Sequence, residues 1–108
     1  MKKPVFVSAQ DAAAMIGDGK TVATIGMTLV SASETILKAI EKRFLETGSP
    51  NQLTLVHSCG QSDRDRGIQH FSHDGMLKCI IGGHWGLQPR MMKMIAENKM
   101  LAYCLPQG

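Results

Sequence analysis

Four short apolar segments alternate with segments of helical periodicity, and this alternation restricts the fold more than any other feature of the sequence. The apolar segments, which we predict to be strands, are residues 21–25, 53–56, 79–81 and 101–105. The connections between them are long enough to hold helices, which favours parallel pairing, and short continuous apolar strands are typical of sheets covered on both faces. The sequence therefore predicts one α/β domain with a mostly parallel sheet and helices on both faces.

Two helices are predicted in the first half of the chain from their start and stop signals. Ser8 begins the first helix, which continues to Ile16. Either Ser31 or Ser33 begins the second helix, whose apolar residues recur at helical spacing until the Gly-Ser-Pro sequence at residues 48–50 ends it.

The second half of the chain predicts one further helix and a long polar loop. Pro89 suits the first turn of a helix that runs through Asn98. Three apolar side chains of this helix are expected to face inward: Met91, Met92 and Ile95. Residues 58–67 are polar and predict a loop, whereas residues 68–77 fit either a loop or a helical turn.

Size and charge exclude several classes of protein. At 108 residues the chain holds at most one domain. Its 12 basic and 9 acidic residues give a net charge of +3, and the scattered cations predict no nucleic-acid partner. No apolar run approaches the roughly 18 residues that cross a membrane, and residues 4–7 are too short for a signal peptide. We therefore expect a cytoplasmic protein with free thiols at Cys59, Cys79 and Cys104.

Three motifs could carry chemistry, but each has a plainer structural interpretation. Residues 26–31 join a predicted strand to a helix start, where backbone N–H groups can bind anions. This loop lacks the glycine pattern of a dinucleotide site, so an ordinary turn is favoured. His70 and His73 could share a helix face, but zinc needs more converging ligands, so structural histidines are favoured. The Asp-Arg-Asp-Arg run at residues 63–66 favours internal ion pairs over an anion clamp.

Two glycine-containing motifs near the end of the chain are more informative. Residues 82–86 hold three glycines around Trp85, and they predict with equal weight a tight turn anchored by that tryptophan and a backbone surface that a ligand approaches. Gln107 follows a predicted strand and a proline, so its amide is expected at the edge of the sheet. A side-chain amide there could donate a hydrogen bond to a developing oxyanion.

The chain resembles the start of the family I coenzyme A transferases. The similar segments occur in the same order and are residues 67–71 (GIQHF), 75–78 (GMLK), 83–86 (GHWG), 97–99 (ENK) and 103–108 (YCLPQG). An earlier segment, from Asp18-Gly19 to Gly26, resembles the first signature of the family. The likeness is above all to the single-chain acetate or propionate type, which joins an α-like half to a β-like half. It implies a Rossmann-like fold, with residues 1–108 as the N-terminal part of a truncated α-like domain.

The resemblance also implies a reaction, in which CoA moves from a short-chain acyl-CoA to a carboxylic acid such as acetate. In such enzymes a glutamate carboxylate attacks the acyl-CoA, a mixed anhydride forms, and the CoA becomes thioesterified to that glutamate before a second acid receives it. The nucleophilic glutamate lies in the β-like half. No glutamate of this chain matches it, so the isolated chain is expected to be inactive. Three of the four are expected on a helix surface and the last at a helix end: Glu34, Glu41, Glu46 and Glu97.

Residue by residue, the resemblance implies a narrow set of roles. Gln107 matches the family glutamine that hydrogen-bonds the thioester oxygen, and Gly26 matches a glycine near the acyl pocket. The similar motifs place three further residues at the substrate: Met27, Gly83 and Gly108. The region around the loop that follows the first predicted strand departs from the family pattern at three positions: Ile25, Met27 and Ser33.

These implications define the expected ligands and partners. A CoA thioester is expected as substrate, with no permanently bound cofactor and no metal. The expected partners are a short-chain carboxylate, the missing β-like half and further copies of the chain, because a sheet cut after a strand exposes an edge and apolar faces. One alternative is a stand-alone α/β ligand-binding or assembly module that exposes Met91, Met92 and Met94. Another is a metalloprotein that uses His70, His73 and a cysteine.

Overall fold

The computed structural model describes residues 3–26, 33–58 and 62–106. In chain order the helices and strands are α1 (Ala9–Ala14), β1 (Thr21–Thr24), α2 (Glu34–Thr47), β2 (Leu53–His57), a 3₁₀-helix (Gly67–Phe71), β3 (Leu77–Gly82), α3 (Pro89–Ala96) and β4 (Leu101–Cys104). No helix within these three ranges is both long and apolar enough to cross a membrane.

The four strands form one parallel sheet in the order β1-β2-β3-β4. The register aligns Val22, Leu55, Ile80 and Ala102 across the sheet. Every strand therefore lies beside the next strand in the sequence, and all four carboxyl ends meet at one edge. The predicted parallel α/β fold is confirmed.

The described helices pack against one face of the sheet. The aligned row of Val22, Leu55, Ile80 and Ala102 belongs to the same core as α1, α2 and α3, which contribute Ala13, Leu37, Ile40, Met91 and Met94. On the other face, Tyr103 remains 52% exposed. The predicted helix layer on this second face is absent from the described part of the chain. When each strand pairs with the next strand in the sequence, right-handed connections place all the helices on the same side of the sheet. The sequence analysis could not predict this arrangement, because local sequence patterns do not determine strand order.

Local signals explain where the helices begin and end. The Ser8 side chain accepts a hydrogen bond from the Asp11 amide, 3.1 Å away, and so begins α1 as predicted. The second helix begins after Ser33 rather than Ser31, and Gly48 ends it in the left-handed conformation, with φ of 77°. Residues 67–71, which the sequence leaves between loop and helix, form the 3₁₀-helix.

The prediction for the inner face of α3 was wrong at one position. Met92 is 50% exposed, whereas Met91 and Met94 are buried in the core. Residues three apart on a helix share a face, so Met94 takes the place that the sequence analysis assigned to Met92. The helix also ends at Ala96, two residues earlier than predicted.

Candidate functional site

A cleft lies at the carboxyl ends of β2 and β3 and beside the segment that follows β4. Its volume is about 200 Å³. The lining residues are Val56, His57, Ser58, Ile81, Gly82, Gly83, Leu105 and Pro106. The Leu105 amide donates to the Gly82 carbonyl at 2.9 Å, which holds the segment after β4 against the end of β3. Parallel α/β sheets bind ligands at this edge, so the cleft is the candidate site.

His57, the last residue of β2, forms the buried part of the cleft and is only 5% exposed. The indole N–H of Trp85 donates to His57 Nε2 at 2.9 Å, and the two rings meet edge to face with centroids 6.2 Å apart. Gly82 contacts the ring from β3, where a Cβ atom would come within 2.8 Å of His57 Cδ2. The hydrogen bond from Trp85 and the close packing of the Gly82 backbone therefore hold the imidazole in position.

The glycine-containing turn at residues 83–86 is both tight and part of the cleft. Gly83 lines the cleft, and its carbonyl lies 3.6 Å from Cys104 Sγ, which donates to it. At Gly86 a Cβ atom would come within 2.7 Å of the ring of His84, so a larger residue there would displace this exposed ring. The sequence weighs a Trp-anchored turn against a surface that a ligand approaches. The structure packs Trp85 against the core and places Gly83 in the lining of the cleft.

Of the five predicted site residues, two lie within the described ranges and three lie outside them. Gly83 lines the cleft, and Gly26 lies just past β1 with φ of 143°, at the same edge of the sheet but outside the cleft lining. Three residues lie outside the described residues: Met27, Gln107 and Gly108. Pro106, which directly precedes Gln107, lines the cleft.

Sequence reasoning missed His57 and Ser58. The predicted strand ended at Val56, but the structure extends β2 through His57, so this side chain becomes part of the sheet edge. The signal was present, because a polar residue directly after a buried parallel strand reaches the ligand-binding edge. The pairing of His57 with Trp85 had no local signal.

A second polar group, the Glu–His cluster of Glu34, Glu41, His70 and His73, joins α2 to the 3₁₀-helix. His70 Nε2 lies 2.7 Å from Glu34 Oε2, and His70 Nδ1 lies 2.9 Å from Glu41 Oε1. His73 Nε2 lies 2.7 Å from the other oxygen of Glu41. Glu34 and Glu41 were expected on an open helix surface, but the 3₁₀-helix folds back over them.

The Glu–His cluster has a structural rather than a metal-binding geometry. Both ring nitrogens of His70 and Nε2 of His73 are hydrogen-bonded to carboxylates. No group of three metal-ligating side chains suited to an ion occurs in the described ranges. Burial acts to raise the pKa of Glu41, but hydrogen bonds from His73 and His70 outweigh it and bring the pKa below its ordinary value of 4.5. The cluster therefore holds α2 and the 3₁₀-helix together by charge-assisted hydrogen bonds.

The charged loop at residues 63–66 forms an internal ion pair, as the sequence analysis favoured. Arg66 donates from Nε and Nη2 to Asp63 Oδ2, at 2.9 and 2.6 Å. These bonds, with one from the Arg66 backbone, lower the pKa of Asp63 to about 2. Arg66 is therefore engaged within its own loop.

Gln88 precedes α3 and is completely buried, yet its side-chain amide has no hydrogen-bond partner among the described residues. Replacing it with methionine, which has a similar length and no polar group to satisfy, is expected to raise the free energy of unfolding by about 1 kcal/mol. Urea unfolding of the two proteins measures this difference.

Gln69 provides a matched control for Gln88. It is also buried, but its amide donates to the Arg64 carbonyl at 2.8 Å and accepts from Ser72 and the Met91 amide. Gln69→Met is therefore expected to lower the free energy of unfolding by about 2 kcal/mol. Equal losses in Gln69→Met and Gln88→Met would contradict this distinction between a hydrogen-bonded and an unbonded buried glutamine.

Comparison with known proteins identifies relatives of this chain. No family model matches the chain. It is 34% identical over 104 residues to the acetate CoA-transferase YdiF of Escherichia coli K12, covering 94% of this chain and 20% of that protein. It is 36% identical over 104 residues to the caffeate CoA-transferase of Acetobacterium woodii, covering 95% of this chain and 20% of that protein.

Solved structures agree with these sequence relatives. The apoenzyme of the acyl-CoA transferase YdiF from Escherichia coli O157:H7 superposes with a TM-score of 0.89 at 32% identity, over 99% of this chain and 22% of that one. A thioester complex of the same protein with CoA gives a TM-score of 0.87 at 33% identity, over 94% and 21% of the two chains. The chain thus spans about one fifth of the length of its relatives, and its homologues are CoA-transferases, which it matches in their N-terminal part.

Proposed function

We propose that this chain is the N-terminal part of the α-like domain of a family I CoA-transferase, and that its cleft forms part of the acyl-CoA site. The observation that carries the proposal is the position of the cleft. It lies at the carboxyl edge of a parallel sheet, and two motifs that resemble the family, GHWG and YCLPQG, both contribute to its lining through Gly83, Leu105 and Pro106.

The proposed reaction moves CoA from a short-chain acyl-CoA to a carboxylic acid such as acetate. A glutamate of the β-like half attacks the thioester carbonyl and expels the CoA thiolate, which leaves a mixed anhydride. The thiolate then attacks the glutamyl carbonyl and releases the first acid, so that the enzyme carries CoA as a glutamyl thioester. A second carboxylate accepts the CoA by the reverse steps.

The residues of this chain would bind and polarise the thioester rather than attack it. Gln107 is proposed to donate a hydrogen bond to the thioester oxygen as negative charge develops there. This proposed role is supported by Pro106, the preceding residue in the sequence, which lines the cleft. The further proposed substrate contacts are Gly26, Met27, Gly83 and Gly108.

The shape of the cleft supports a short acyl group. A volume of about 200 Å³ is far too small for a whole CoA molecule, and the side chains of Val56, Ile81 and Leu105 make much of its wall apolar. An acetyl or propionyl group would fit, with the nucleotide outside. Charged side chains are absent from the lining that the structure describes.

The same proposal accounts for the uncovered face of the sheet. Ala23, Val56, Ile81 and Tyr103 align across this face, and all four are at least partly exposed. We propose that the remaining part of the polypeptide, including the β-like half, packs there, and that the complete enzyme is a cytoplasmic homo-oligomer. An apolar sheet face of this kind favours association.

Binding of acyl-CoA by the chain itself tests the proposal. Adding propionyl-CoA to the ¹⁵N-labelled protein is expected to shift the amide signals of Gly83 and Leu105, whereas free CoA shifts them less because it lacks the acyl group. Gly83→Val, which places a larger side chain in the cleft lining, should abolish the shift at Leu105. Gly17→Val, which lies near the end of α1 and away from the cleft, should leave them unchanged. Equal shifts with propionyl-CoA and CoA, or no shift, would contradict the placement of the acyl group.

The position of the nucleophile gives a second outcome from the same sample. The chain alone is expected to transfer no CoA from propionyl-CoA to acetate, because the proposed glutamate lies in the β-like half. Formation of acetyl-CoA above the uncatalysed rate would overturn that assignment, and mass spectrometry of the nucleotide products measures it directly.

A further inference from the structure

The histidine at the base of the cleft is hydrogen-bonded by a group that can only donate. The indole of Trp85 has one N–H and no acceptor, and it lies 2.9 Å from His57 Nε2. The imidazole nitrogen must therefore accept through its lone pair, so Nε2 carries no proton while this bond is made.

The groups packed around His57 restrict rotation of its ring, so another ring atom cannot easily replace Nε2 beside the indole N–H. Its side chain is buried, the Gly82 backbone packs on the ring, and any Cβ atom at that position would collide with it. Trp85 is in turn held by its own turn, where its carbonyl accepts from the Gln88 amide at 3.0 Å, and by packing against the core. Ring rotation of His57 would displace one of these groups.

We infer that Trp85 is a positioning residue, which holds the His57 imidazole as the neutral tautomer protonated at Nδ1 and so keeps the base of the cleft uncharged. A proton on Nε2 would face the indole N–H, and the turn at residues 83–86 would have to move to accommodate it. His57 therefore acts as a fixed neutral dipole. Its Nε2 cannot act as a general acid while it accepts the hydrogen bond from Trp85. The inference rests on the proposed function only in identifying the group beside this ring as a thioester.

The tautomer is measured directly from the ring nitrogens of the ¹⁵N-labelled protein. In long-range ¹H–¹⁵N spectra, Nδ1 of His57 is expected at the position of a protonated nitrogen and Nε2 at that of an unprotonated one. His57→Gln assigns the signals by removing them, and His84→Gln controls for the neighbouring ring. A proton on Nε2 at neutral pH would overturn the inference.

The role of Trp85 is tested by removing its N–H without changing its shape. Benzothienylalanine keeps the bicyclic ring and has sulfur in place of the N–H. With this residue at position 85, His57 is expected to populate both neutral tautomers, because no N–H then faces Nε2. Unchanged His57 signals would show that Trp85 does not set the tautomer. Because these readouts need no ligand, they stay informative even if propionyl-CoA fails to bind and the proposed function is wrong.

Discussion

Replacing Gly82 with alanine is expected to lower the free energy of unfolding by about 3 kcal/mol, because the new methyl group would occupy space now filled by the His57 ring. Neither the Gly82 backbone nor the His57 ring can move easily. The glycine is a buried residue of β3, and Trp85 holds the ring through a hydrogen bond to His57 Nε2. Urea unfolding followed by circular dichroism measures the loss, and Trp85 fluorescence reports whether the ring pair has separated.

Gly17→Ala is the matched control for this substitution. A Cβ atom at Gly17 would meet only the Lys20 side chain, at 3.8 Å, which is ordinary contact distance. Its stability is expected to stay within about 0.5 kcal/mol of the unmodified protein. If Gly82→Ala were as well tolerated as this control, the close packing of the His57 ring against β3 would be disproved.

Replacing Glu41 with glutamine is expected to lower the free energy of unfolding by about 2 kcal/mol at neutral pH, because Glu41 binds two histidines with its two oxygens. The amide keeps the shape of the side chain, but it carries no charge and only one of its two polar atoms can accept. Glu46→Gln, at an exposed position in the last turn of the same helix, should change stability by less than about 0.5 kcal/mol.

The pH dependence of this loss distinguishes a charge effect from simple disruption of packing. The pKa of Glu41 in the folded protein lies below its ordinary value of 4.5, so folding favours the ionised carboxylate. Its contribution to stability is then complete above that value and is lost as the pH falls through the folded-state pKa. The difference between the unmodified protein and Glu41→Gln should therefore shrink as the pH falls below 4.5 and through the lower folded-state pKa. A constant difference across this range would contradict the charge effect.

Much of the fold could be predicted because its signals are local. The apolar segments marked the four strands to within two residues at either end, and Ser8, Gly48 and Pro89 marked helix boundaries. The packing of all described helices on one face could not be predicted, since it depends on strand order, and strand order is decided by packing between distant segments. For the same reason Glu34 and Glu41 were misread as surface residues, because the 3₁₀-helix that covers them lies more than twenty residues away in sequence.

The candidate site was predicted in part. Gly83 was assigned to the substrate edge from its motif, and the structure places it in the cleft lining. His57 could not be assigned, because its importance comes from two neighbours, Gly82 and Trp85, that reach it only after β2 and β3 have paired in register. The roles of Gln107 and Gly26 remain proposals that follow from the family resemblance.

The sequential strand order has a consequence for how the molecule is assembled. Because β1, β2, β3 and β4 each pair with the next strand in the chain, no strand must wait for a partner from a distant part of the polypeptide. Pairing between consecutive strands closes a shorter loop than pairing between strands further apart in the chain, and proteins are synthesised from the N-terminus onward. The sheet can therefore grow one strand at a time as the polypeptide leaves the ribosome, because each new strand pairs with the strand synthesised just before it.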